Sequence, residues 1–189
     1  MTETVSPRPR LLNGWRLAGW GCLLALLILP ALAMQWHAEG VHWTASDFAF
    51  ATVLLGLLGA GAEIAFAVGR NAPHKVGIAI AALGGFLTVW INGAVGMLGS
   101  EEEPTNLVFI AMAGIGVVAS LLVWFRAAPM RWIMATLSAG QFAVGVVAAL
   151  WTMPGHAVEW GVLTFFALIW GAAAACFHAA RSAQSGASL

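Results

Sequence analysis

The stretch Trp90-Ile-Asn-Gly-Ala-Val-Gly-Met-Leu-Gly-Ser-Glu-Glu-Glu-Pro-Thr-Asn106 decides the fold. It carries an apolar, glycine-rich run out to an acidic turn, and a second apolar run starts just beyond it at Leu107. Worked outward in both directions, the same grammar repeats: apolar segments of about twenty residues alternate with short polar turns. About twenty apolar residues is the length a helix needs to cross a bilayer.

Composition agrees with that reading. The chain has 189 residues, of which 61% are hydrophobic and 8% charged. Soluble domains carry roughly 25% charged residues, and a soluble chain of this size could not hide so much apolar surface. The class expected is therefore all-α: a polytopic transmembrane helical bundle of about six helices. Net charge is zero, so no overall field points to nucleic acid. Cys22 and Cys176 both fall inside apolar segments, away from any disulfide framework or CxxC motif. Tyrosine is absent while tryptophan reaches 10, and tryptophan suits a membrane–water interface.

In chain order, residues 1–14 read as a polar cytoplasmic tail, 15–181 as one transmembrane helical domain, and 182–189 as a second cytoplasmic tail. The first apolar segment spans Trp15 to Trp36, with Pro30 expected to kink it. It has a second reading, because Ala31-Leu32-Ala33 behind a basic flank resembles the end of a signal peptide. Segments two to six are expected at Phe48–Gly69, Val76–Leu98, Leu107–Phe125, Trp132–Met153 and Val158–Phe177. Ser46 or Asp47 is expected to cap the second, since a short side-chain oxygen can accept an orphan backbone N–H.

Charge placement orients the bundle. In the six-helix arrangement all eight Lys and Arg residues fall on one side, and every acidic residue except Glu3 and Glu63 falls on the other. The positive-inside rule then puts both termini in the cytoplasm. Arg70-x-Ala72-Pro73-x-Lys75 recurs as Arg126-x-Ala128-Pro129-x-Arg131. This is either a parallel repeat of helices two–three and four–five, as in many transporters, or the ordinary chemistry of inner turns.

Few polar residues lie inside the apolar segments, and each needs a reason. Glu63 is the costliest, because a charge at depth usually faces a bundle interior or cavity. It is either an ionisable centre or a carboxyl hydrogen-bonded to a neighbouring helix. Thr88 and Asn92 share a face of the third segment with Gly85, Gly96 and Gly99, while Ser138 and Gln141 form a similar face on the fifth. Such seams suit close packing with interhelical hydrogen bonds, or they line a path. Trp20, Trp90 and Trp170 lie deep, where an indole N–H needs a partner; Glu63 and Gln141 are candidates.

The outer surface collects His37, Glu39, His42, Asp47, Glu101, Glu102, Glu103, Asn106, His156 and Glu159. Of these, Asp47, Glu101 and Asn106 are the outer-surface site candidates. No HxH or HExxH spacing occurs, so no metal, no cofactor and no catalytic residue is expected. The other partners expected besides the lipid bilayer are a second copy of the chain or another membrane protein.

Trp90-Ile91-Asn92-Gly93-Ala94-Val95-Gly96, with Gly99-Ser100-Glu101, Pro104-x-Asn106 and Trp43-x-x-x-Asp47-Phe48, resembles a group of small bacterial multi-pass membrane proteins with no activity assigned. The resemblance covers about residues 43–181 and implies an α-helical inner-membrane protein. Three roles are then open: a small transporter or channel-like protein with an intramembrane carboxylate, a non-catalytic accessory or assembly subunit, and, last, a membrane enzyme. The first role expects a pH-dependent flux lost in Glu63→Ala.

Overall fold

A computed structural model describes residues 14–155 and 157–186, with side chains through residue 183. Among these residues the chain is all helical, with six helices of membrane-spanning length and no sheet. They are α1 (Gly14–Gln35), α2 (Ala45–Val68), α3 (Ala72–Ala94), α4 (Leu107–Leu122), α5 (Ala127–Val147) and α6 (Trp160–Gly186). A 3-10 turn at Pro104–Asn106 leads into α4, and a π turn at Ala148–Thr152 ends α5. The N-terminal tail, His156 and residues 187–189 lie outside the described residues. The expected C-terminal tail is mostly helix, because α6 continues to Gly186.

The chain divides into two compact units, with the boundary inside α2 between Gly59 and Ala60. In the first unit, α1 runs without a break through Pro30 and buries no residue. The cap of α2 differs from the one expected. Thr44 holds it: its backbone N–H donates to Asp47 Oδ2 at 2.7 Å, its hydroxyl donates to the same oxygen at 2.8 Å, and Asp47 N–H donates back to Thr44 Oγ1 at 3.4 Å. This is the reciprocal capping box, with aspartate in place of the usual glutamate. Asp47 is thus the return arm of a cap. Thr44→Ala is expected to cost about 1 kcal/mol, read as faster hydrogen exchange in the first turn of α2.

The second unit contains a four-helix arrangement. α3 packs on α4 and α6, and α5 packs on α4 and α6. The cyclic order is therefore α3, α4, α5, α6, with α3 diagonal to α5. Its apolar core runs along the axis through Ile78, Phe109, Met134, Leu163, Phe166 and Phe177. The outward faces are just as apolar; Ile115, Val117, Leu121, Leu122 and Leu168 are all exposed. That distribution suits a hydrocarbon solvent. Trp15, Trp36, Trp124, Trp132 and Trp151 sit exposed at or beside helix ends, as an interfacial belt requires.

The basic turns cluster at one end of this unit. Asn71 caps α3 by accepting from His74 N–H at 2.9 Å, and its amide donates to Ala180 O on α6 at 3.0 Å. His74 Nδ1 accepts from Arg70 N–H at 3.3 Å, which leaves Nε2–H to donate to Phe125 O at 2.7 Å in the α4–α5 turn. One buried histidine thereby ties the two basic turns together. The two copies of the Arg–Ala–Pro motif are nevertheless used differently. α3 has a side-chain cap and α5 has none.

The acidic loop forms the opposite end, and here the helix limits move. α3 ends at Ala94, not at Leu98. Gly96 and Gly99 adopt φ of +77 and +64 in the loop, so neither continues the face of Thr88 and Asn92. A left-handed backbone favours glycine, and a β-carbon on Gly96 would also strike Ser100 O and the Asn106 amide.

Candidate functional site

The polar residues of the opening stretch separate into two groups. Asn106, expected at the outer surface, is 3% exposed and fastens the loop. Its Oδ1 accepts from Met97 N–H at 3.1 Å and Leu98 N–H at 2.9 Å; its Nδ2 donates to Leu98 O at 2.9 Å and Ser100 O at 2.7 Å. Every strong bond its amide can make in this loop serves backbone, so Asn106 has nothing left to offer a ligand. Glu103 accepts from Thr105 N–H and Oγ1–H, and Glu159 Oε1 accepts from Gly99 N–H at 3.2 Å. Glu101 and Glu102 remain exposed.

Asn92 belongs to the second group, in the interior. On α3, Thr88 Oγ1 donates to Gly84 O at 2.8 Å, and Asn92 Nδ2 donates to Thr88 O at 2.7 Å. A carbonyl can only accept, so this bond fixes the Asn92 amide with its nitrogen toward Thr88. Its oxygen is left buried and without a partner. Gln141 Oε1 on α5 and Trp170 Nε1 on α6 are buried and unpartnered as well. The three residues are 4%, 1% and 3% exposed.

Their placement follows from the glycine contacts. Gly84 meets Ile169 and Trp170, and Gly77 meets Cys176 and Phe177, so these positions set the α3–α6 seam. Ser138 donates to Ala167 O at 2.7 Å, and Gly145 meets Leu163, which sets the α5–α6 seam. Leu137 meets Gly116, and Met112 meets Gly140, which sets the α4–α5 seam. On the helical wheel Gln141 falls between the α4 and α6 contacts of α5. Trp170 falls between the α3 and α5 contacts of α6. Both therefore face the axis, as do Thr88 and Asn92 on the buried side of α3.

Depth agrees. Gly84, Trp170 and Ser138 share one level, and Thr88 and Gln141 lie one turn further toward the acidic end. Side chains lean toward the N-terminus of their own helix. Asn92 and Gln141 therefore lean toward the basic end, and Trp170 leans toward the acidic end. The three residues therefore lie within about a turn of one another, around the level of Thr88. On α4 the wall at this level is Ala113 and Gly116, both buried and small.

Glu63 lies on the second-unit part of α2 and is half-buried. It has an interaction partner, and an Arg–Glu salt bridge lies within the membrane-spanning bundle. Among the described residues no group of three or more His, Cys, Asp and Glu could hold a metal ion. The deep indole at Trp170 was legible as a group in need of a partner; neither Glu63 nor Gln141 supplies one. The roles of His74 and Asn71 do not follow from the sequence, where a histidine and an asparagine inside a six-residue turn are the available signal. Comparison with protein-family models, with curated proteins and with solved structures finds no match for this chain.

Proposed function

We propose that this chain is a small channel- or carrier-like membrane protein whose four-helix core admits a polar solute. The observation that carries the reading is the set of buried, unpartnered polar atoms on Asn92, Gln141 and Trp170. Each such atom costs roughly 1–3 kcal/mol when left unsatisfied, and a lipid-facing bundle can pack without it. Polar groups kept at depth in a membrane are costly and commonly face a bundle interior or a water-filled path. The reading is non-enzymatic, places the chain in a bacterial inner membrane with both termini cytoplasmic, and calls for no nucleic acid.

The test is flux into proteoliposomes holding the purified chain, over a panel of protons, alkali cations and small neutral solutes. Entry above protein-free vesicles for at least one member is expected. Flux equal to the protein-free control for all of them would remove the proposal. Glu63→Gln and Gln141→Met then separate its two forms. Loss in Gln141→Met places the solute on the four-helix axis. Loss in Glu63→Gln alone would return the role to the intramembrane carboxylate.

A second reading rests on α1, which buries none of its residues. An accessory subunit docks such a helix on another membrane protein. Co-purification of a defined partner, lost when residues 1–40 are deleted, would support it; a monodisperse chain with normal flux would not.

A further inference from the structure

From the chemistry of the orphaned atoms we infer that the four-helix axis binds a small uncharged hydroxylic solute, water or a short alcohol or polyol, and not an ion. This rests on the channel-like reading and names its solute class.

Three observations carry it. First, the site offers two amide oxygens, Asn92 Oδ1 and Gln141 Oε1, and one indole donor, Trp170 Nε1–H. A hydroxyl is both donor and acceptor. A water or a diol can donate to both amide oxygens while accepting from the indole, and buried waters typically make about three such bonds. A sodium or ammonium ion would satisfy the two oxygens but has nothing to accept the indole proton. An anion would accept from the indole and be repelled by both oxygens.

Second, the polar residues of α3, α5 and α6 at this level carry no counter-charge, and the half-buried Glu63 on α2 is already engaged in an interaction of its own. Thr88, Asn92, Ser138, Gln141 and Trp170 are all neutral. An ion stripped of water needs a compensating charge or a dense cage of dipoles, and two carbonyls are neither.

Third, Ala113 on α4 is small and buried near this level, while the space beside Gly84 is filled by Ile169 and Trp170 and that beside Gly116 by Leu137, so only a small solute fits. Gly85, about 100° round the helix from Gly84, is half-exposed, with nothing within 4 Å of where its β-carbon would stand. The Asn92 amide is held ready by its bond to Thr88 O, so binding requires no reorientation of that group.

The experiment uses the full chain in lipid nanodiscs with 15N-labelled tryptophan. The Trp170 indole resonance is assigned by its loss in Trp170→Phe. Ethylene glycol, glycerol, sodium chloride and ammonium chloride are titrated separately, and cross-relaxation from the indole proton to water is recorded without additive. Ethylene glycol or glycerol is expected to shift the Trp170 resonance saturably, or, if water is the resident, strong water cross-relaxation is expected that Gln141→Met abolishes. Neither salt is expected to shift it. In Gln141→Met the apparent diol affinity should fall by about tenfold, the loss of one good hydrogen bond. A Trp170 resonance that responds to a salt and to no hydroxylic probe would overturn the inference. So would a resonance that responds to none of the four and shows no water contact. Where proteoliposomes carry flux and Trp170 stays silent, the channel-like reading survives and this inference fails. Where Trp170 responds and no flux is found, the site stands and the channel-like reading fails. Asn92→Leu repeats the measurement should Gln141→Met not fold.

Discussion

Asn106→Ala is expected to destabilise the second unit more than any other single truncation of a polar side chain. It removes four hydrogen bonds at once, to Met97 N, Leu98 N, Leu98 O and Ser100 O. Each is worth about 0.5–1.5 kcal/mol net, so the expected loss is on the order of 3–5 kcal/mol. The loop would also release Met97 and Leu98, each 1% exposed, from the end of the core. Asn106→Asp tests the chemistry more sharply. Its carboxylate could still accept from Met97 and Leu98, but it would face the carbonyls of Leu98 and Ser100 with no proton to donate. Both variants should unfold at lower temperature in detergent micelles and become open to protease near Glu101–Glu102. An Asn106→Asp variant as stable as the parent would show that the two donor bonds contribute nothing.

Gln141→Met is expected to act in the opposite direction. Gln141 is 1% exposed and its Oε1 has no partner. Methionine has similar length and flexibility and brings no polar atom to satisfy. Replacing a buried, unsatisfied group by an apolar one of like shape is neutral or stabilising, so with no solute bound at the axis a gain of about 1–3 kcal/mol is expected. The measurement is thermal unfolding beside the parent chain in the same detergent. A clear loss of stability would mean that the amide is held by bonds that matter to the fold. A gain in stability with a loss of flux would be the trade that functional sites usually make.

How much of this was legible in the sequence depends on the range of the interactions concerned. The six helices follow from the length of the apolar runs, and the charge sorting between turns is matched where His74 joins the two basic turns of the second unit. Helix ends were harder. α5 begins at Ala127, five residues before Trp132, because Pro129 is compatible with a first turn. α3 stops at Ala94 because Gly96 turns left-handed, which no apolar periodicity reveals. Asn106 reads as a surface residue because it stands beside an acidic turn, and only the folded loop brings four backbone groups around its amide. Ser46 and Asp47 are the more obvious cap candidates beside Thr44, although the Thr-x-x-Asp spacing carries the capping-box signal. Asn92 and Gln141 were readable as costly polar residues. That their oxygens are orphaned, and that Trp170 joins them, follows from which helices are neighbours, and this is information about packing that a single chain does not print.

The decisive property of the bundle is whether its polar axis is kept for a solute. The direct measurement is flux of a small hydroxylic solute, by stopped-flow light scattering, into proteoliposomes containing equal amounts of folded parent chain and Gln141→Met. The account predicts entry well above protein-free vesicles for the parent and about tenfold slower entry for the variant, the effect of removing one hydrogen bond from the path. Equal flux in the two would contradict it, and would leave the buried amide as a feature of packing alone.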